Sequence, residues 1–497
     1  MNQIKTGILL SYISILIVNI AGLLTTPIIV KTLGAHDYGL YILICSIVAY
    51  ITLVDLGVAT TINRFVAKYR VLGDKKGEEL FIGSIFKVII FIIFIIFIIA
   101  YTITLNIDIF LTSKQIDRDL FIKIFLILTS SLVFNILTAF INGYLSAYEK
   151  FVYIKSLAIL KSVLRILILF LIFSKIGSIL FLVIIDIILS IFMFFCSLIY
   201  FIKIYKGKFF TRENDNNILK EVFKYSGWVF VFSCISQMQW HSGQLIIGSK
   251  IDTVAVGIYA IGIILGTYYS AFSDAITNVF ISRTTKIIYS SENYLISLNE
   301  YMIKISRICL GVLLLILGGF ILNGKKFINL WVGDDYEKSW LIALIIMVIY
   351  TIPLSQGIAN QVLEIKKMFY FKSKIYLIFI SLGVFMGYHF IEYYGILGMI
   401  LGIAFGWIIA ISIMTNYYHN YLKLNMFNLF KKVKNILLVF FFSTAFGYIF
   451  SLIYKGDGWF GLFINCGFYA FIYLSFIYIF VLSNAEKLIL KKKIGYE

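Results

Sequence analysis

Proline and charged residues are scarce in this sequence. Its 497 residues include two prolines, and 14% of the residues are charged whereas 61% are hydrophobic. The mean hydropathy is +0.97. Soluble domains carry about 25% charged residues, so this composition excludes a soluble globular protein and predicts an integral membrane protein. Because proline is so rare, long helices are left largely unbroken, and the fold class expected is all-α.

Sequence motifs for catalysis, nucleotide binding and metal coordination are lacking. The chain has no H-E-x-x-H motif and no P-loop, and no connection between apolar segments much exceeds about twenty residues, too short for a separate domain. The five cysteines lie in apolar segments at wide spacings and predict neither disulfides nor a metal site. We therefore expect that the protein is not an enzyme, uses no cofactor and does not itself drive transport with ATP.

Long apolar segments recur along the whole chain. A helix of about 20 residues crosses the hydrocarbon core of a membrane. Fourteen such segments are predicted, at 7–30, 38–63, 80–104, 120–143, 156–174, 178–202, 225–248, 254–281, 302–323, 340–362, 375–392, 395–418, 435–454 and 459–482.

The net charge of +18 is divided unevenly between the connections. Of the 43 lysines and arginines, 29 lie in the N-terminus and in every second connection after it, and ten lie in the other connections. The more basic side of a membrane protein faces the cytoplasm. This alternation predicts a multi-pass protein with both termini in the cytoplasm, and it accounts for the charge without a nucleic-acid partner.

Weak internal similarity relates the two halves of the chain at an offset of 218 residues. The segments 34–44 and 252–262 share a G-x-Y pattern, and 142–151 matches 360–369 at the same offset. A repeat of six helices preserves orientation, which predicts two lobes in parallel repeat around a central cleft. The predicted divisions are an N-terminal six-helix lobe at 1–220, a C-terminal six-helix lobe at 221–434, and an additional helix pair with a basic cytoplasmic tail at 435–497.

Two cations lie inside the apolar segment LAILKSVLRILILFLIF. Lys161 and Arg165 are one turn apart and share a helix face. A charge within a membrane costs a few kcal/mol even on lenient scales, so we interpret both residues as ligands for an anion in the cleft. The structural alternatives stay open: Lys161 could extend its ammonium to the cytoplasmic interface, and Arg165 could pair with Asp186 at a similar depth on the next helix.

Three segments of the chain resemble a known family. KTLGAHDYGLYIL, VDLGVATTINRFVAKYR and QLIIGSKIDTVAVGIYAIG are similar to segments of the bacterial polysaccharide or O-antigen flippases of the Wzx type. These belong to the multidrug/oligosaccharidyl-lipid/polysaccharide flippase superfamily, whose members typically have fourteen helices.

The resemblance implies a flippase of the bacterial cytoplasmic (inner) membrane. Its substrate would be an undecaprenyl-diphosphate-linked oligosaccharide, moved by alternating access to the outer leaflet for O-antigen or capsule. The implied partners are this lipid-linked oligosaccharide, membrane lipids, a coupling ion (a proton or sodium) and other polysaccharide-assembly proteins.

Polar and aromatic side chains crowd the seventh segment. They suit the hydroxyl groups of sugars, although a polar contact between helices explains them equally well. These residues are Gln237, Gln239, Trp240, His241 and Gln244.

Charged residues near the cytoplasmic ends of two segments are candidates for gating or ion coupling. Asp55 precedes Arg64 by nine residues. Asp274 precedes Arg283 by the same number. Nine residues are about two and a half helical turns, so neither carboxylate faces its own arginine, and a structural network is the alternative interpretation. Asp186 joins these candidates as the neighbour of Arg165.

Glycine recurs every four residues in the twelfth segment. The run Gly398, Gly402 and Gly406, with Gly395 before it, predicts close helix packing instead of a phosphate-binding site.

Two other functions are compatible with a polytopic protein. A drug or small-solute exporter of the same superfamily would have a less cationic cleft and a better defined coupling carboxylate. A polytopic glycan polymerase would generally display a substantial outer loop or domain, and the fourteen-segment assignment leaves no room for one.

Overall fold

The computed structural model describes residues 3–55, 57–107, 117–205, 216–290, 294–484 and 486–487. These residues are almost entirely helical, and no strand occurs among them. The α-helices of the described chain are α1 Gln3–Ile51, α2 Val58–Leu72, α3 Lys75–Leu105, α4 Arg118–Ala147, α5 Phe151–Ile168, α6 Ser174–Ile176, α7 Ile179–Ile204, α8 Asn216–Lys250, α9 Thr253–Thr277, α10 Ile281–Ser290, α11 Tyr294–Trp331, α12 Ser339–Ser355, α13 Gly357–Ile365, α14 Phe369–Tyr394, α15 Ile396–Asn420, α16 Met426–Ile453 and α17 Gly458–Phe476.

Short helices of other types join or extend several of these elements. The 3₁₀ segments are Thr52–Asp55, Asn278–Phe280 and Asp334–Tyr336, and the π-helical segments are Leu169–Phe173 and Ile477–Val481.

The long helices are apolar enough to cross a membrane. By length and hydropathy, eleven helices of the described chain qualify, or twelve when the bent pair α12–α13 is taken as one span. One of them, Ile13–Leu72, contains the predicted second span and most of the predicted first span, and α8 covers the predicted seventh span. The prediction of an all-α, multi-pass membrane protein is confirmed.

Helices α1 and α2 differ from the two straight spans predicted for this region. The first and second spans meet at Gly34 inside α1, where φ is 80° and ψ is 171°. The second span, predicted as continuous, is interrupted by the 3₁₀ segment Thr52–Asp55, and α2 starts after Gly57, where φ is 69°. Glycine adopts a positive φ without the steric cost of a Cβ, so both changes of direction fall where it is present.

Pro353 bends one of the spans, although the scarcity of proline predicts helices that are largely unbroken. Pro353 lies in the last turn of α12, and α12 and α13 meet at an angle of 53°. Proline has no backbone N–H for the carbonyl of Ile349, so the helix loses a hydrogen bond at this point.

The chain forms two compact units, residues 1–257 and 258–497. The first contains α1 to α8 and the start of α9, and the second contains the remainder. Helix α8 therefore belongs to the first unit, whereas the predicted second lobe begins at residue 221. The predicted lobe boundaries stay a prediction.

Each unit has its own apolar core. In the first unit it includes Ile62, Phe81 and Phe125, which are almost completely inaccessible to solvent. In the second unit a cluster around Met302 and Leu363 joins α11, α13 and α15. Burial of such side chains stabilises each unit by close packing of helix against helix.

The glycines that the sequence repeat pairs contact each other in the first unit. A Cβ on Gly257 would lie 3.5 Å from the Cα of Gly39 and 3.2 Å from Cδ1 of Tyr38. A Cβ on Gly39 would overlap the carbonyl oxygen of Thr253. Helix α1 and the first turn of α9 therefore cross in backbone contact, which requires glycine at position 39, whereas a Cβ at position 257 would make a tight contact with the Tyr38 ring.

Candidate functional site

The hairpin of α5, α6 and α7 carries the charged residues that the sequence singled out. Arg165 lies in the last turn of α5, and its carbonyl oxygen accepts the N–H of Leu169 at the start of the π-helical segment. Gly177 ends α6 with a φ of 63°, which turns the chain into α7. Asp186 lies two turns into α7, so the hairpin brings both charges to the same depth.

Arg165 and Asp186 form a bidentate ion pair. Nε of Arg165 donates to Oδ1 of Asp186 at 2.8 Å, and Nη2 donates to Oδ2 at 3.2 Å. The exposed fractions of the two side chains are 30% and 19%. The pairing that the sequence offered as an alternative is therefore present, and it neutralises the carboxylate.

The guanidinium of Arg165 keeps donors for a further ligand. It has five N–H groups in a fixed plane, of which the contacts with Asp186 use two. No described residue accepts a hydrogen bond from its Nη1. The pair orients the arginine while one side of its planar fork remains able to bind an anion.

Lys161 lies one turn before Arg165 and has no carboxylate partner among the described residues. Its Nζ is 3.4 Å from Oδ1 of Asn135 on α4, a long hydrogen bond to a neutral group. Since Asp186 balances Arg165, the group of three ionisable side chains carries one excess positive charge. This charge is what a binding site for an anionic headgroup requires.

Sequence reasoning missed two neighbours of this site. Tyr41 on α1 donates from its hydroxyl to Oδ2 of Asp186 at 3.4 Å, and Asn135 contacts Lys161. Tyr41 belongs to the G-x-Y pattern of the internal repeat, so a signal for it was present. Asn135 is one of several polar residues in α4, and only the packing of α4 against α5 shows its partner.

The polar residues of α8 lie against α1. Gln244 is 5% exposed, and its Oε1 accepts hydrogen bonds from Ser46 and from the neighbouring His241 ring. Nε2 of Gln237 donates to Oγ1 of Thr52 at 3.3 Å. Gln237 and Gln244 thus make the polar helix contact that the sequence offered as an alternative.

Gln239, Trp240 and His241 are half-buried on the same helix. Each of them keeps part of its surface exposed, whereas Gln244 is enclosed. Their role in sugar binding stays a prediction.

The gating candidates lie in separate places. Asp55 ends a 3₁₀ segment, and its Oδ1 is buried without a hydrogen-bond partner in the part of the chain that is described. Arg64 is exposed on α2. Asp274 is exposed on α9 beside a pocket of about 160 Å³. The Arg283 guanidinium lies 5.1 Å from the ring centre of Tyr301.

No ion pair joins either aspartate to the arginine nine residues later, as far as the described residues show. This agrees with the helical geometry of that spacing. Their assignment to gating or coupling remains untested.

The corresponding hairpin of the second half, α14–α15, has uncharged residues, Phe379, Gly383 and Ala404, where the first half has Lys161, Arg165 and Asp186. Gly383 is at the position equivalent to Arg165, and a Cβ on it would lie 2.8 Å from the carbonyl oxygen of Gly402 and 3.1 Å from the Cα of Ile403. The two helices are in backbone contact, so this hairpin cannot hold a long polar side chain at that depth. A Cβ on Gly398, Gly402 or Gly406 would overlap backbone atoms of α14, so the prediction of close helix packing is confirmed for these three glycines. A Cβ on Gly395, at a φ of 56°, would meet nothing within 4 Å.

Comparison of the sequence with protein-family models identifies the family. Residues 4–281, more than half of the chain, match the model for "Polysaccharide biosynthesis protein". The chain belongs to the polysaccharide biosynthesis protein family. No curated protein is similar enough in sequence to count as a match.

Solved structures share the fold of this family member. The lipid II flippase MurJ, in an inward closed conformation, has a TM-score of 0.73 at 19% identity, over 98% of this chain and 99% of that one. An inward-facing multidrug resistance MATE family transporter of the MOP superfamily has a TM-score of 0.55 at 16% identity, over 81% and 96%. The MATE transporter VcmN of Vibrio cholerae, in a bent form, has a TM-score of 0.56 at 13% identity, over 85% and 98%. The chain therefore has the fold of MOP-type flippases and transporters.

Proposed function

We propose that this protein is a flippase, not an enzyme, for an undecaprenyl-diphosphate-linked oligosaccharide. It moves this lipid from the cytoplasmic to the outer leaflet of the bacterial cytoplasmic membrane by alternating access, with both of its termini in the cytoplasm. The observation that carries the proposal is the excess positive charge of Lys161 and Arg165 within a membrane-spanning hairpin of a polysaccharide biosynthesis family member.

The chemistry of such a substrate explains why these charges are placed there. A sugar and diphosphate headgroup cannot cross hydrocarbon unassisted, because its polar groups would lose their hydrogen bonds. The lipid tail is apolar and can stay in the bilayer. The protein therefore has to supply cations for the diphosphate and polar or aromatic side chains for the sugars.

Each residue of the site has a distinct role in this proposal. The free edge of the Arg165 guanidinium binds phosphate oxygens in a planar, two-pronged contact. Asp186 and Tyr41 hold the arginine in place, and Lys161 adds a second positive charge. Gln239, Trp240 and His241 contact the sugars.

Coupling and gating are assigned to groups outside the Arg165 site. Asp55 and Asp274, with Arg64 and Arg283, are the candidates for binding a proton or sodium ion and for closing the cytoplasmic side. The buried Oδ1 of Asp55, which has no described partner, supports this role best.

A deletion strain tests the function directly. Loss of the gene should abolish surface glycan and cause lipid-linked oligosaccharide to accumulate in the cytoplasmic leaflet, and the intact gene should restore both. Normal surface glycan together with increased drug sensitivity would instead establish an exporter, the alternative that the MATE fold allows. Accumulation of single repeat units already in the outer leaflet would point to a polymerase.

A further inference from the structure

A groove in the second unit has cations at one end and apolar walls along the rest. Its volume is about 210 Å³, and it lies between α11, α16 and the end of α17. Lys304 and Arg307 stand at one end of the α11 wall, which continues through Ile308 and Val312 to Leu315. Eleven residues of helix span about 16 Å, so the groove is elongated along the helix axis.

The middle of the groove is open because α11 has a glycine there. A Cβ on Gly311 would meet no heavy atom within 4 Å. The carbonyl oxygen of the same residue accepts a hydrogen bond of 2.9 Å from the hydroxyl of Tyr473. The opening is therefore bordered by a defined contact between α11 and α17, and the glycine is not required for close packing at this point.

The cations at the end of the groove are only partly neutralised. Nη2 of Arg307 donates to the carbonyl oxygen of Val481 at 2.8 Å, and Nη1 lies 3.6 Å from Oε1 of Glu486. The exposed fractions of Arg307 and Glu486 are 25% and 30%. Lys304 is exposed, and no described residue forms a hydrogen bond with its ammonium. One carboxylate faces two cations, so the end of the groove is positive.

We propose that this groove binds an anionic phospholipid of the cytoplasmic leaflet. The lipid phosphate contacts Lys304 and Arg307, and one acyl chain follows the apolar wall past Gly311. The lipid contacts both α11 and the C-terminal helices α16 and α17, and so stabilises their association.

The chemistry of the groove favours this occupant over others. Basic pockets between transmembrane helices at the cytoplasmic surface bind anionic headgroups, and the charge pattern of the sequence assigns Lys304 and Arg307 to that surface. A small aqueous anion would leave the apolar walls unused. A zwitterionic lipid would fill the walls but gain less from the cations. The proposal does not depend on which substrate the protein transports.

Two substitutions test the two ends of the groove separately. Lys304→Gln removes a charge from a side chain whose ammonium forms no hydrogen bond with a described residue, and Gly311→Leu fills the opening without changing charge. The matched controls are Lys374→Gln, at an exposed lysine of α14, and Gly227→Leu, at an exposed glycine of α8 with no heavy atom within 4 Å of its Cβ position.

The measurement is the binding of phosphatidylglycerol and phosphatidylcholine to the purified full-length chain, by native mass spectrometry and by thermal stability in detergent. We expect phosphatidylglycerol to bind and to raise the unfolding temperature, with phosphatidylcholine much weaker. Lys304→Gln should weaken phosphatidylglycerol binding by about tenfold, the size of one lost hydrogen bond to a charged group. Gly311→Leu should also weaken it, because the leucine side chain occupies the path of the acyl chain. Both controls should bind as the unmodified protein does.

Three results would overturn the proposal. They are equal binding of the two lipids, unchanged phosphatidylglycerol binding in both groove variants, and displacement of phosphatidylglycerol by an equimolar amount of undecaprenyl phosphate, which would make the groove a path for a polyprenyl substrate. Surface glycan in a complemented deletion strain is scored separately, so failure of this site leaves the proposed function untouched.

Discussion

At the scale of single residues, the ion pair of Arg165 and Asp186 has two interpretations that differ in their consequences. A buried ion pair can often be replaced by apolar residues of similar size with little effect on stability, whereas removal of one partner leaves an uncompensated charge at a cost of about 3–5 kcal/mol. If the pair has only a structural role, both residues can be replaced together without loss of function. If the guanidinium binds substrate, the same double replacement abolishes function.

The double substitution Arg165→Leu with Asp186→Leu separates these interpretations. We expect the double variant to insert and accumulate normally, because no charge is left unpaired, but to deliver no glycan to the cell surface. Cell-surface glycan and membrane protein level in a complemented deletion strain are the measurements. A control is the exposed pair Lys325 and Glu337, 2.8 Å apart, whose replacement by two leucines should change neither quantity. Full surface glycan from the first double variant would leave Arg165 as a structural partner only.

The geometry of the guanidinium predicts an order of effect among single substitutions. Arg165→Lys keeps the charge and loses the planar fork, so it should retain part of the activity. Lys161→Ala should be milder than Arg165→Leu, because Arg165 alone still offers donors to the diphosphate. The rate at which surface glycan reappears after induction of each variant gives the order. Equal rates for Arg165→Lys and the native protein would show that charge alone suffices.

Arg165, Lys161 and Asp186 could be identified as candidate site residues from the sequence, because a charge in an apolar segment is recognisable without a structure. The sequence did not separate Gln244, which is enclosed against α1, from Trp240, which is half-buried on the same helix. Burial depends on which helix packs against which face, and a single sequence contains little information on that. The polar residues of α8 were therefore predicted as one group and are divided by the structure.

At the scale of helices, the two hairpins α5–α7 and α14–α15 correspond in the sequence repeat but differ in what lies between their helices. Arg165 and Asp186 occupy the space between α5 and α7, whereas α14 and α15 are held in backbone contact by glycine. The glycine spacing of four residues predicted this contact, since it places small residues on one helix face. The interruption of the second span at Gly57 was not predicted, because the hydropathy of a membrane segment stays high through a bend.

Substitution of one glycine tests the packing of α14 on α15. A Cβ on Gly402 would overlap the backbone nitrogen of Gly387, and backbone cannot move aside as a side chain does. We expect Gly402→Ala to destabilise the second unit by at least about 3 kcal/mol, the upper end of the usual cost of overpacking. Gly467→Ala is the control, since its Cβ would meet nothing within 4 Å and alanine favours a helix by about 1 kcal/mol. The unfolding temperature of each purified variant is the measurement, and a Gly402→Ala protein as stable as the control would contradict the close contact.

At the scale of the whole molecule, composition and segment length were enough to predict the all-α membrane fold. The bilayer restricts a spanning chain to helices or closed barrels, so hydropathy alone limits the choice of architecture. The division into units was not predictable in the same way. Helix α8 belongs to the first unit through contacts such as that between Gln237 and Thr52, and contacts between residues so distant in sequence follow from packing and not from hydropathy.

The topology of the whole chain rests on the uneven distribution of its cations. With 29 lysines and arginines on one set of connections and ten on the other, the basic set should face the cytoplasm. Reporter fusions after Lys76 and Lys434 should therefore be active only as cytoplasmic reporters, and fusions after Asp334 and Asp457 only as reporters of the outer side. Lys76, Asp334 and Asp457 lie at helix ends of the described chain. Lys434 lies in the basic first part of α16, directly before the predicted span 435–454. Because each span reverses the direction of the chain, an error of one span would invert every site that follows it. Opposite results at Lys76 and Lys434 would thus show an odd number of spans between them, and the fourteen-span assignment would be wrong.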